Sequence, residues 1–207
     1  GQFGTALAML PDLDADGHAD VVVGAPRDNA GGSVSGALYV LSGADGTILK
    51  QVAGPHAGAR MGASIAASRA GIIAGAPGVD EKALVFDAIS ASGKHLFTLK
   101  PAAGNGGFGS SVAAIGDMDG DQVRDFVVGA PETWVNDVPQ AGYAYVFSGR
   151  TGNLIGEQPG RQWRGRLGAQ VAAAGDQDGD GLLDLLVGGR DHLRLFRNRG
   201  DRTFEDV

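Results

Sequence analysis

The sequence predicts an all-β protein, a β-propeller of about four four-stranded blades. Three observations carry that expectation: a segment that recurs four times, strand-length apolar runs bounded by Gly, Asp and Pro, and the lack of any convincing amphipathic helix. Each copy opens on an apolar residue followed by glycine, at Phe3-Gly4, Met61-Gly62, Phe108-Gly109 and Leu167-Gly168. The glycines at 4, 62, 109 and 168 are spaced by 58, 47 and 59 residues, near the length of a propeller blade. Residues 1–207 therefore read as one propeller segment, with blades at roughly 3–54, 61–100, 108–160 and 167–207.

Within each repeat the order is the same: a small-residue strand, a loop, a short Val-rich strand, a third strand, and a turn into a fourth. The Val-rich strand ends in Gly-Ala-Pro at 24–26, 75–77 and 129–131. The third strand and its turn also recur, as YVLSGADGTIL from Tyr39 and YVFSGRTGNLI from Tyr145. The second repeat keeps only a Ser68 to Gly71 turn where the others have a long loop, which explains its shorter spacing. The fourth reads Gly188-Gly189-Arg190 in place of Gly-Ala-Pro, with a third strand expected at His192 to Phe196 and a fourth at Thr203 to Val207.

The long loops carry the chemistry. They read DLDADGHAD from Asp12 to Asp20, DMDGDQVRD from Asp117 to Asp125 and DQDGDGLLD from Asp176 to Asp184, with acids at positions 1, 3, 5 and 9. Like charges ~4 Å apart cost on the order of a few kcal/mol per pair at a surface-like dielectric, so such a loop makes sense around a cation. All-oxygen ligation selects a hard ion, and a flexible loop suits calcium better than magnesium, which demands stricter octahedral geometry. The spacing begins like an EF-hand, yet position 12 is Val23, Val128 or Val187 and a strand follows, so position 9 stands in for the missing carboxylate. Asp and Gly favour solvated turns in any case, but three copies of one four-acid spacing argue for a shared ligand.

Composition narrows the remaining classes. No cysteine is present, so neither a disulfide scaffold nor a zinc–thiolate site is available. The net charge is -7, and the loops hold 12 of the 24 acids, four in each; three bound Ca²⁺ would leave about -1. An acidic balance argues against nucleic acid as partner. No apolar run approaches the ~20 residues that cross a bilayer, so membrane insertion is not expected. The chain opens at Gly1 with no signal peptide, which suggests a processed or trimmed product.

FG, then DxDxDGxxD, then GAP, then YVFSG resembles the FG-GAP repeat of integrin alpha-subunit propellers and their bacterial secreted relatives, across essentially the whole chain. The resemblance implies Ca²⁺ in the hairpin between the first two strands of a blade, at three sites. It places side-chain ligands on Asp12, Asp14, Asp16 and Asp20, on Asp117, Asp119, Asp121 and Asp125, and on Asp176, Asp178, Asp180 and Asp184. His18, Val123 and Leu182 at position 7 would give backbone oxygen. Position 6 is glycine at Gly17 and Gly181 but Gln122 in the middle loop, a strained choice if the backbone there is left-handed. The integrin-type propeller has seven blades and this chain encodes about four. It is then a partial or half propeller that needs further blades or self-association, or a four-bladed ring; exposed strand edges and apolar faces favour one of the first two.

The expected function is a non-catalytic, calcium-binding module for extracellular or cell-surface adhesion or protein recognition, through loops on one face. The alternatives are a propeller module of a secreted enzyme and a glycan-binding, lectin-like module. GxSxG and HExxH are absent, and His18, His56, His95 and His192 fall one per repeat without a shared neighbourhood. Arg199-Gly200-Asp201 spells an adhesion tripeptide but sits in a glycine turn. Gly104, Gly106 and Gly109 fit GxGxxG without a helix to follow. Arg161, Arg164, Arg166, Arg194 and Arg197 crowd the stretch after Gly160, either to hold a polyanion such as an acidic glycan or to balance the acid loop there. Trp134 and Trp163 are expected to plug gaps between blades, the alternative being exposed rings that stack on sugar or grip a partner.

Overall fold

The Val-rich runs lack the alternation of a half-solvated strand because each lies in the middle of its sheet, and in blades 2 and 3 that sheet is itself sandwiched between sheets. A computed structural model describes residues 1–68, 71–87, 94–101, 106–190, 192–201 and 203–207. The strands form four antiparallel four-stranded sheets, each in simple sequence order, and no helix occurs among the described residues. Blade 1 comprises β1 (Ala6–Met9), β2 (Val21–Ala25), β3 (Ala37–Leu41) and β4 (Ile48–Ala53). Blade 2 comprises β5 (Ser64–Ser68), β6 (Gly71–Ala76), β7 (Lys82–Phe86) and β8 (His95–Leu99). Blade 3 comprises β9 (Ser111–Ala114), β10 (Phe126–Ala130), β11 (Tyr143–Phe147) and β12 (Leu154–Pro159). Blade 4 comprises β13 (Gln170–Gly175), β14 (Asp184–Gly188), β15 (Leu193–Asn198) and β16 (Phe204–Asp206). The expected four-stranded blades are all present, with the last two strands of blade 4 shifted by a residue or two. The turn expected after Ser68 spans residues 69 and 70, outside the described residues, and its flanks Ser68 and Gly71 pair directly.

The first strands of successive blades stand side by side, β1 against β5, β5 against β9 and β9 against β13. Between blades lie three apolar layers. Val22, Leu38 and Val40 meet Met61, Ile72 and Phe86; Ile73 and Val85 meet Phe108, Phe126 and Tyr145; Val127 and Val146 meet Leu167, Leu185 and Phe196. Each large buried side chain contributes about 1.5–3 kcal/mol relative to solvent exposure. The two faces of one strand thus feed two layers, and every residue of β6 and β10 is buried.

The repeat motifs are the pieces of the blade junction. A Cβ on Gly24, Gly75 or Gly129 would lie 2.1, 1.9 or 1.9 Å from the carbonyl oxygen of Gly62, Gly109 or Gly168 in the next blade. Only glycine lets the two backbones touch there. The residue ahead of the receiving glycine is buried: Met61 and Phe108 are 0% exposed and Leu167 2%. Ser64 and Ser111 hydroxyls donate to the Gly109 and Gly168 carbonyls at 2.9 and 2.7 Å.

Candidate metal centres

Each acid loop joins the first and second strands of its blade, and its ninth residue fixes it. Asp20, Asp125 and Asp184 are buried. Their two oxygens accept main-chain N–H groups from different elements: Leu13 and Gly43 at 2.8 and 3.1 Å, Met118 and Gly149 at 2.6 and 2.8 Å, Gln177 and Asn198 at 2.9 and 3.0 Å. The carboxylate therefore staples the loop's second residue to the end of the third strand. Each oxygen keeps acceptor capacity beyond that bond.

The first residue winds the loop. Asp12 accepts N–H groups of Asp16 and Gly17, Asp117 those of Gly120, Asp121 and Gln122, and Asp176 those of Gly179 and Gly181. This winding requires left-handed backbone at positions 4 and 6. Position 4 is Ala15, Gly120 or Gly179, with φ of 63°, 80° and 82°, and position 6 is Gly17, Gln122 or Gly181, with φ of 90°, 68° and 87°. Gln122 thus adopts the conformation that its neighbours reserve for glycine. The parallel demand at position 4 was hidden in the first loop by Ala15, although the GDG of the third loop displays it.

The winding gathers three carboxylates per loop. One oxygen each of Asp12, Asp14 and Asp20 lies within 4.8 Å of the others, and the same holds for Asp117, Asp119 and Asp125 and for Asp176, Asp178 and Asp184. The fifth-position acids stand outside these groups. Asp16 accepts the His18 N–H at 2.8 Å and the Ser42 hydroxyl at 2.9 Å, Asp121 accepts the Val123 N–H at 2.8 Å and lies 3.1 Å from Arg150 Nε, and Asp180 accepts the Leu182 N–H at 2.8 Å. Of the position-7 residues, His18 reaches back through its ring, Nδ1 lying 3.4 Å from Asp16. Arg197 Nε is 3.5 Å from Asp178. Arginine thus partly offsets the second and third loops: Arg197 balances its loop as the sequence suggested, whereas Arg150, from the turn after its blade's third strand, was not legible as a loop partner.

Electrostatics registers the crowding. Burial pushes the Asp125 carboxyl up to about 6, against the N–H groups of Gly149 and Met118 and with the charges of Asp119 and Asp117 adding to the rise. Loss of solvation likewise raises Asp14, helped by the Asp16, Asp20 and Asp12 charges. Burial also acts on Asp117, but the N–H groups of Gln122, Gly120 and Asp121 outweigh it and hold that carboxyl below its ordinary value. Three converging carboxylates, one of them buried, form a donor set that fits a hard divalent cation, whose charge would offset their repulsion.

The remaining candidates look different. Trp134 and Trp163 are 63% and 66% exposed. They do not plug gaps between blades, because the glycine-to-carbonyl junctions leave none for them; the Arg164 guanidinium lies 4.6 Å over the Trp163 ring instead. In the adhesion tripeptide, Asp201 accepts the Thr203 hydroxyl and N–H, which lower its pKa, and Arg199 pairs with Glu205. Both charges are engaged within blade 4, Asp201 in the turn and Arg199 with β16. Other basic residues also meet acids, Arg166 with Glu132 and Arg194 with Asp206. Gly104 lies outside the described residues, and β9 follows Gly109 with no helix opening there. The histidines have separate partners, His56 with Asp80 and His95 with Thr98.

Comparison with known proteins agrees with the geometry. Residues 3–41 match the model of the FG-GAP repeat. The chain is 28% identical to Integrin alpha-5 of Xenopus laevis over 95% of its own length and 21% of that protein. It is 32% identical to Integrin alpha-E of Mus musculus over 51% of its length and 10% of that protein, and 34% identical to Integrin alpha-X of Homo sapiens over 45% and 8%. The chain thus spans about a fifth or less of the length of these relatives. Residues 3–41 in blade 1 thus match an FG-GAP repeat, and the chain, similar to an integrin alpha chain along nearly its whole length, has four blades built on one junction, of the β-propeller class.

Proposed function

We propose that this chain is a non-catalytic propeller module that binds calcium in three loops and recognises a protein ligand outside the cell. The observation that carries the calcium assignment is the convergence of three carboxylates in each of three separate hairpins. Asp12, Asp14 and Asp20, with their counterparts Asp117, Asp119 and Asp125 and Asp176, Asp178 and Asp184, hold the ion in this reading. Asp16, Asp121 and Asp180 and the carbonyls of His18, Val123 and Leu182 complete the sets. A millimolar calcium concentration, as found outside cells, is what loops of ~0.1–1 mM affinity need. Likeness to integrin alpha chains supports protein recognition at a cell surface. Scattered histidines, with His18, His56 and His95 each holding a separate partner, support a non-catalytic role.

A second reading, glycan binding, is favoured by the two exposed tryptophans and the arginine stacked on one of them, since aromatic faces suit sugar rings. Titration calorimetry with calcium chloride tests the first reading: three ions per chain are expected, and two for Asp14→Ala. Absence of binding at millimolar calcium would overturn it. Retention on immobilised glycans, abolished by Trp163→Ala, would move the assignment to the second.

A further inference from the structure

Blades 1, 2 and 3 share one strand register, so their side chains can be compared position by position. The apolar residue that opens a repeat meets the third strand of its own blade. In blade 1 Phe3 lies 5.2 Å edge-on to Tyr39, and in blade 3 Phe108 lies 5.7 Å from Tyr145, on which Tyr143 stacks at 5.1 Å. Blade 2 has neither ring of that pair. Met61 stands in place of the phenylalanine, and Leu84, paired with Ala74 as Tyr145 is with Val128, stands in place of the tyrosine. On the facing blade, Val52 of β4 holds the position that Leu99 of β8 holds against blade 3.

Side-chain volume is thus reduced on both sides of this junction, and a cleft of about 510 Å³ opens between blades 1 and 2. Its floor is Met61, Leu84 and Phe86, all buried, with Val52 on the opposite wall. In blade 3 rings fill the corresponding space, Phe108 and Tyr145 being 0% exposed. The rim of the cleft is basic. Lys82 opens β7, and one step beyond the Ala83–Leu99 pair the register sets Lys100 opposite it. The same pair of positions holds Ala37 and Ala53 in blade 1 and Tyr143 and Pro159 in blade 3. Like charges facing each other across two strands are destabilising, and an anion between them relieves that cost. Asp80 engages Lys82 at 2.9 Å, while no acid pairs with Lys100 among the described residues.

We propose that this cleft binds a small planar aromatic carboxylate. The ligand's ring takes the place that the tyrosine ring fills in blade 3, and its carboxylate meets the Lys100 ammonium with Lys82 beside it. Small-molecule sites have this form: about 300–1,000 Å³, mostly apolar, with a few polar groups that fix orientation. The site lies between two blades of the chain and is independent of the acid loops, of calcium and of protein recognition.

Titration of the full chain with 2-naphthoate, followed by the probe's own fluorescence, tests the proposal. One site per chain is expected, and 2-naphthalenemethanol, which keeps the ring and lacks the charge, should bind about tenfold more weakly. Lys100→Glu, at an exposed position, should weaken naphthoate by about tenfold and leave the alcohol unchanged. Met61→Phe combined with Leu84→Tyr rebuilds the ring pair of blades 1 and 3 and should abolish binding of both probes with the β-sheet circular dichroism retained. Trp163→Ala should leave naphthoate binding as it is. No binding at millimolar naphthoate, equal affinity for the alcohol, no loss with Lys100→Glu, survival of binding in the double variant, or loss with Trp163→Ala would overturn the proposal. If the double variant loses its β-sheet spectrum, Val52→Tyr fills the cleft from the opposite wall, and naphthoate binding that survives it overturns the proposal in the same way.

Discussion

Blades 2 and 3 pack against each other and differ in one feature. In blade 3 an acid loop separates β9 from β10, and in blade 2 two residues separate β5 from β6. The sheets are otherwise alike: Ser64 faces Gly75 as Ser111 faces Gly129, and the second strand is wholly buried in both. Gly71 stands where Asp125 stands, at the head of that second strand. The acid loop is therefore not needed to build a blade. It brings repulsion that blade 2 avoids, and the buried aspartate belongs to the loop, satisfying N–H groups that the loop itself turns inward.

Asp125→Ala breaks that comparison hardest. It strands the Met118 and Gly149 N–H groups, each worth about 1–3 kcal/mol when left unsatisfied in the interior, so a loss of about 3 kcal/mol is expected in urea unfolding. The loss should persist in chelator. A loss confined to calcium buffers would reduce Asp125 to a metal ligand without a structural role. The mirror change, Gly71→Asp, places a carboxylate where no loop among the described residues donates to it and where its Cβ would lie 2.8 Å from the Phe86 carbonyl, and should cost a similar amount.

Calcium removal comes next. At ~1 mM calcium and ~0.1–1 mM affinity each site adds about 0.4–1.4 kcal/mol by mass action, or about 1–4 kcal/mol for three. Amide exchange in chelator should quicken at 12–20, 117–125 and 176–184 and leave the β5–β6 hairpin unchanged. Equal quickening in blade 2 would mean that the ions act on the whole array and not on their hairpins.

The sequence shows this division well because the motifs are junction chemistry. Bare glycines in GAP and FG, small residues in first strands and apolar runs in second strands are all imposed by blade-on-blade contact, so they recur visibly. What did not show depends on contacts made across the blade. Arg150 reaches its loop from the turn after the third strand, and Asp16 and Asp121 have partners in Ser42 and Arg150 that lie far away in sequence. Trp134 and Trp163 could not be placed because a loop's outward or inward aim carries no period.

Acidity offers a gentler probe. In metal-free protein Asp125 sits near 6 against an ordinary 3.8, so between those values the folded state holds a proton that the unfolded state has released. Stability in chelator should then fall as pH rises through about 6, and calcium's stabilisation should grow over the same window. Asp125→Asn should flatten both trends. The Asp16 and Asp117 carboxyls are shifted down, so their contribution has the opposite sign and is lost only as pH falls below the ordinary carboxylate range. A chelator profile that rises between pH 4 and 6 would show that burial of Asp125 is not the dominant charge effect.

The smallest effect separates one acid loop from another. Position 6 is left-handed in all three, and only the middle loop places a side chain there, Gln122 at φ 68°. A non-glycine residue in that conformation costs roughly 1 kcal/mol, while glycine gives back part of that through a more flexible unfolded chain. Gln122→Gly should therefore stabilise the protein by about 0.5 kcal/mol, and Gly181→Gln should destabilise it by a similar amount. Ala15→Gly in the first loop, at φ 63°, should match the Gln122 gain because position 4 has the same demand. If Gln122→Gly is neutral in chelator yet tightens calcium binding, the strain is expressed in the ion-free loop's freedom to close and not in the fold. A gain of equal size in both conditions places it in the backbone itself.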